Sequence, residues 1–250
     1  MPYWDAAAVA PMGTSSYPGI VQATTVELEV PSGHRTTKIT IPNPLYAYTF
    51  HPLVFEDFQS SEDMGVSALD TNSTISASDP WIFWTSTKRY PSTTDATAMS
   101  QNDLVAQTLD RNQANLMQRT YHMLGMQKNY LDVSNNMAES TTQAAIPDSL
   151  ESVHDTLHNT VGNGGHMYDT AYSAFDPIFW LLHTSVFSAA RVDDRQLTVC
   201  SNTDRLLAIW QDLHPDSYVE SHVNPRATFT TPPYSRADEN TRTYSVLHYL

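Results

Sequence analysis

The 250-residue chain sets 27 acidic side chains against 13 basic ones, a formal net charge of −14 with histidines neutral, and is 40% hydrophobic. This is long and apolar enough for a sizeable core, and the acidic excess argues against nucleic acid or an anionic membrane surface as partner, since both need basic patches. No window holds the ~20 uninterrupted apolar residues of a membrane span, and Met1-Pro2-Tyr3-Trp4-Asp5 lacks the basic-then-apolar start of a secretory leader, so the chain as written is expected inside the cell, in the cytoplasm.

Residues 1–100 read as a loop-rich arm. Within it, Val26 to Val30 and Thr36 to Ile41 carry β-branched residues on either side of Pro31-Ser32-Gly33, which predicts a small β-hairpin. From about residue 101 the pattern becomes helical. Leu104, Leu109, Leu116 and Tyr121 recur at helical intervals and predict one long amphipathic helix from Ser100 to about Met126. Pro147-Asp148-Ser149 then restarts the chain, where Asp148 with Glu151 matches a capping box opening a helix through Leu157 and His158. Asp176-Pro177 opens another, with the acid as N-cap and proline at the first helical position, ahead of the apolar run Ile178 to Leu182. Asp204 to Leu213 is the last predicted helix, with Leu207, Trp210 and Gln211 on turns with apolar spacing. Residues 221–250 form a tail, and neither a repeat nor a linker divides the single domain over 1–250.

Cys200 is the sole cysteine, so a metal would be held by histidine or carboxylate. His154 and His158 stand four apart on one predicted helix face, about one turn or ~6 Å from each other. His183 ends the helix begun at Pro177 and offers a third imidazole. Three neutral imidazoles suit copper, zinc or iron. His34, His51 and His122 have no such spacing, and His166, in a glycine-flanked loop, reads as either a plain loop histidine or one that supports the site, not as a ligand. Trp180 and Trp210 fall in apolar helical stretches and read as core residues, while Asp204 and Arg205 read as a structural ion pair or caps.

The run from Ser149 through His154-Asp155-Thr156-Leu157-His158-Asn159, then Val161-Gly162, Gly164-Gly165-His166-Met167, Ser173-Ala174-Phe175-Asp176-Pro177-Ile178-Phe179-Trp180 and Asp204 to Gln211, resembles the copper B region of fungal tyrosinases, type-3 copper phenol oxidases. Pro2-Tyr3-Trp4-Asp5 and Asn43-Pro44-Leu45-Tyr46 extend the resemblance over most of the chain. It implies a mainly α fold, a tyrosinase-type four-helix bundle, in which two coppers with three histidines each act on dioxygen, hydroxylating phenols to catechols and oxidising catechols to quinones. In fungi such enzymes are commonly linked to melanin-type pigments. Carried over by position, the copper B ligands are His154, His158 and His183. The resemblance further implies that Glu151 orients a water molecule with help from Asp155, that Asp155 assists phenol deprotonation, and that Asn159 lies at the substrate entrance. The residues alone leave simpler roles open: Glu151 as capping-box partner of Asp148, and Asp155 as an acid favoured early in a helix.

Three departures qualify the resemblance. The Pro-Tyr-Trp-Asp motif that normally follows the last copper A histidine stands at residue 2, so the chain as given carries only the copper B half, and at most one copper is expected on it. Residues 185–201 interrupt the direct passage from His183-Thr184 to Asn202-Thr203-Asp204-Arg205 and read as an insert, a retained intron or gene-model error. Leu182 stands where the family usually has a first histidine of a pair. The bundle is thus incomplete, and the chain alone is expected to have little or no oxidase activity. Rival readings are a non-catalytic, truncated or mis-spliced copper-binding fragment, a partner protein of a full-length tyrosinase, and a mononuclear zinc hydrolase. Ligand histidines must be neutral, so copper affinity is expected to fall on acidification through ~6.5.

Overall fold

A computed structural model describes residues 4–33, 35–51, 84–134, 148–169, 172–183 and 202–217, with the backbone of 222–223 and 236–237. The predicted hairpin is present as β1 (Thr25–Ser32) and β2 (Arg35–Pro42), antiparallel in the register Val26↔Ile41 and Leu28↔Ile39. The helices follow as α1 (Asn102–Met126), α2 (Tyr130–Ser134), α3 (Leu150–Gly162), α4 (Pro177–His183) and α5 (Asn202–Leu213). A second two-stranded ribbon joins β3 (His222–Val223) to β4 (Arg236–Ala237). The mainly helical architecture expected from the sequence is therefore present, with α1, α3, α4 and α5 packed on one another.

The apolar faces explain that packing. Val105, Leu109 and Leu116 of α1 meet Val153, Leu157 and Val161 of α3 and Ile178 and Leu182 of α4 in one core. Trp4, Tyr17 and Val21 of the arm complete it. A second cluster joins Met123, Tyr130, Leu150, Leu206 and Trp210. The face of α1 lies slightly off the predicted one. Val105, Leu109, Leu116, Thr120 and Met123 are buried, while Tyr121 is 75% exposed. Trp210 is a core residue as expected, but Trp180 is 52% exposed, because Ile178 and Leu182 occupy the inward face of α4.

Two helix starts differ in kind. At α4 the predicted cap is present: an Asp176 carboxylate oxygen accepts from the Ile178 N–H at 3.0 Å. At α3 the capping box is Ser149 with Ser152, each side chain accepting from the other's backbone N–H at 3.1 and 3.0 Å. Asp148 is instead drawn to Arg119 on α1, 2.9 Å away, because a guanidinium attracts a carboxylate more strongly than an amide dipole does. The box expected of Asp148 with Glu151 is therefore not the one formed. Arg205 pairs with Asp5, so its structural reading holds. The flanks of residues 184–201 meet, with Thr203 Oγ1 donating to the Leu182 carbonyl at 3.2 Å. The proposed insert 185–201, with Cys200, lies outside the described residues, as does His34.

The arm is fastened to the helices by a buried ion pair that the sequence reading did not find. Arg89 directs Nε and Nη2 at Asp176, with the shortest contact 2.6 Å. Its remaining donors reach the Tyr17 hydroxyl at 3.2 Å and the carbonyls of Val21 at 2.8 Å and Leu45 at 3.0 Å. Burial works against the guanidinium charge, but Asp176 and Tyr17 outweigh it and raise the Arg89 pKa. Burial pushes the Tyr17 phenol up to about 12 against the pull of Arg89.

Arg89→Met strands the Asp176 carboxylate in the core and is expected to cost about 3–5 kcal/mol, read as a lower urea midpoint at unchanged slope. Ser149→Ala should cost about 1 kcal/mol by removing the cap of α3, and Asp148→Ala should act through its contacts with Arg119 and His122.

Candidate metal centre

The short α3 and α4 bring three imidazoles to one point. His154 and His158 project from the same face of α3, one turn apart, and His183 comes from the last residue of α4. The His183 Nε2 lies 2.5 Å from that of His154 and 3.0 Å from that of His158. One ligating atom from each ring falls within 4.8 Å of the others, and among the described residues this is the group of three histidines or acids so arranged. His154 and His158 are buried and His183 half-buried.

The opposite ring nitrogens decide what those Nε2 atoms can be. His158 Nδ1 lies 2.6 Å from the Met167 carbonyl, and His183 Nδ1 lies 2.9 Å from the Phe179 carbonyl. A carbonyl only accepts, so each Nδ1 carries the proton and each neutral ring presents an unprotonated Nε2. His154 Nδ1 lies 3.1 Å from an Asp155 carboxylate oxygen, which likewise favours the proton on Nδ1. Three lone pairs then face one another without a proton between them. That arrangement is repulsive by itself and attractive around a cation. An ion ~2.0–2.1 Å from each nitrogen in tetrahedral geometry would set them about 3.3 Å apart, close to the 3.0 Å between His158 and His183. The donor set therefore fits a metal, and its all-imidazole character suits copper or zinc.

Electrostatics keep His158 and His183 in the ligating state. Burial, then the neighbouring His154, lowers the His158 pKa from 6.5 to about 4. Burial, then His154 and His158, lowers that of His183 to about 2. For these two rings, acid competition begins well below the ordinary histidine value on which the expectation from sequence rested. The Phe179 ring stacks on His183 with centroids 3.7 Å apart and 16° between planes, which fixes the rotation of that imidazole.

His166 is not brought to the trio. It is fully buried against Phe50 and Trp84, with its Nδ1 accepting from the Lys88 N–H at 2.9 Å, and burial lowers its pKa to about 3. It supports the site through its neighbour, since Met167 supplies the carbonyl that holds His158. Glu151 stands in the first turn of α3 and is half-buried, Asp155 is 43% exposed, and Asn159 is exposed on the turn after His158. His51 and His122 are exposed and stand apart from the trio, and His122 Nδ1 lies 3.4 Å from Asp148. Sequence reasoning missed the Met167 and Phe179 carbonyls and the whole segment from Lys88 to Tyr90. The Phe179 carbonyl was legible as the residue four before His183 on a helix; the others have no spacing signal.

Fold and site together define a helical protein with three histidines arranged so that they could hold a metal ion. The family model describing the common central domain of tyrosinase matches residues 1–187, and the chain belongs to the tyrosinase family. It is 32% identical to a tyrosinase of Neurospora crassa over 228 residues, covering 91% of this chain and 28% of that protein. A tyrosinase of Podospora anserina is 31% identical over 233 residues, with 92% and 33% covered. A solved structure of mushroom tyrosinase, from a crystal with latent and active forms, superposes with a TM-score of 0.67 at 27% identity, covering 96% of this chain and 51% of that one. The chain spans about a third or less of the length of these curated relatives.

Without metal, acid should destabilise the fold. His158, His166 and His183 have folded pKa values below 6.5, so below that pH the unfolded chain binds protons that the folded chain refuses. Stability is full above ~6.5 and falls as pH drops, by about 1.4 kcal/mol per pH unit for each such histidine. Urea titrations in chelator at pH 7.5, 6.5 and 5.5 measure it, and His166→Gln should flatten the slope by one histidine's share.

Proposed function

We propose that this chain supplies the copper B half of a tyrosinase-type centre that oxidises phenols and catechols with dioxygen. The observation that carries this reading is the meeting of three unprotonated Nε2 atoms from α3 and α4 in a chain of the tyrosinase family. Bound copper would supply the electron transfer between phenolic substrate and dioxygen. The protein's part is to hold and orient. His154, His158 and His183 would present Nε2 to the ion, with Asp155, Met167 and Phe179 fixing the protons on the far nitrogens.

Glu151 and Asp155 stand four residues apart, so their carboxylates share one face of α3 at the level of His154. In this reading Glu151 orients a water molecule and Asp155 assists removal of the phenolic proton, a transfer suited to a carboxylate beside a cation. Asn159, exposed one residue beyond His158, would border the entrance for substrate.

The chain as given is expected to take up one equivalent of copper. Alanine at His154, His158 or His183 should weaken binding by more than the about 10- to 100-fold typical of losing a group that merely supports a ligand. Calorimetric titration of wild type and the three variants checks both statements, and wild-type melting should rise with copper by mass action. Copper uptake unchanged in all three variants would remove the reading. With catechol added, the loaded chain is expected to make little quinone; steady turnover at one copper per chain would show that it needs no second half.

A further inference from the structure

We propose that Lys88-Arg89-Tyr90, a segment outside the histidine helices, is the positioning element that holds His158 and His183 on their common point. The inference rests on reading the three histidines as a copper site. It goes beyond that reading by naming what sets the geometry of the site.

Each residue of the segment grips a different support of the trio. Arg89 holds Asp176 through Nε and Nη2, and an Asp176 oxygen also accepts from the Ile178 N–H in the first turn of α4. The helix runs only from Pro177 to His183, so its first and last residues lie about 9 Å apart. A tilt at Asp176 is carried to the His183 ring across fewer than two turns of rigid helix. Lys88 grips His166 at two points: its N–H donates to Nδ1 at 2.9 Å, and its carbonyl accepts from the His166 N–H at 3.0 Å. The next residue, Met167, offers the carbonyl 2.6 Å from His158 Nδ1. Tyr90 donates its N–H to the Gly162 carbonyl at 2.9 Å, at the end of α3.

This close approach is built in. A Cβ on Gly165 would stand 2.2 Å from the Lys88 carbonyl oxygen, and one on Gly162 2.1 Å from the Tyr168 nitrogen, so both positions require glycine. Tyr90 itself has φ of +48°, a left-handed conformation disfavoured by any side chain with a Cβ. Bonds on both sides hold it there: its N–H goes to Gly162 and its carbonyl accepts from the Gln101 side-chain amide at 3.1 Å. The Arg89 carbonyl accepts from the Gln101 N–H at 3.0 Å, which anchors the segment to the start of α1. His154 is held by Asp155 of its own helix and lies outside this scheme.

The test compares copper(II) affinity and the electron paramagnetic resonance spectrum of the copper-loaded full chain in wild type, Arg89→Lys and Asp110→Asn. Lysine keeps the charge beside Asp176 but loses the planar fork. Asp110 clamps the arm by accepting from Ser15 and Ser16 at 2.8–3.0 Å, remote from the segment, and reports what loosening the arm does by itself. Arg89→Lys is expected to weaken copper binding about tenfold or more and to shift the copper hyperfine splitting, with Asp110→Asn leaving both unchanged. A folded Arg89→Lys chain with wild-type affinity and spectrum overturns the proposal, as does Asp110→Asn reproducing its effect. Should Arg89→Lys not fold, Gln101→Ala takes its place, since it removes only the side-chain bond to the Tyr90 carbonyl. An altered spectrum there supports the proposal and an unaltered one overturns it. Wild-type chain that takes up no copper instead refutes the metal reading beneath it.

Discussion

Arg89 and Asp176 form the ion pair on which the rest of the architecture depends. Two opposite charges removed from water lose several kcal/mol each in hydration, and only a fully bonded arrangement returns it. Here the guanidinium reaches a carboxylate, a phenol and two backbone carbonyls, and the carboxylate also caps a helix. Apolar replacements of matched shape could be as stable, because a buried pair seldom adds net stability. What it adds is a unique arrangement: the turn at Val21, the turn at Leu45 and the start of α4 satisfy the same charged group in one geometry only.

The histidine trio is the converse case. Its Nε2 lone pairs face one another, so the metal-free site is a repulsion that the surrounding packing sustains. Core contacts between α3 and α4, including Val161, Ile178 and Leu182, hold the helices together in spite of it. The carbonyls of Met167 and Phe179 dictate which nitrogen bears the proton. Pre-organisation of this kind removes the ordering that a flexible set of ligands would undergo on binding, and it exposes the fold to acid.

Kinship with the tyrosinases accounts for the order of motifs along the chain and for the superposition on a far longer mushroom enzyme. In this chain the arm packs on the helices that carry histidine, and Trp4 illustrates the stitching. Its indole donates to the Ser16 carbonyl at 2.9 Å while its own N–H reaches Leu181, two residues before His183.

Local chemistry was readable along the chain. The β-branched runs about Pro31-Ser32-Gly33 specify a hairpin because alternation and a turn are short-range properties. Asp176-Pro177 specifies a helix start for the same reason, and a four-residue interval suffices to place His154 and His158 side by side. What the sequence could not determine are choices among partners. Asp148 stood where a cap is expected, yet Arg119, 29 positions earlier, draws it away. Trp180 shares an apolar run with Ile178 and Leu182, and only the placement of α4 decides that it faces outward. Arg89 carries no periodic signal, since its charge is matched 87 positions later by Asp176. Periodicity reports which face of an element is apolar, whereas a buried charge is satisfied by whichever groups the chain brings to it, and that is settled only when the whole fold closes.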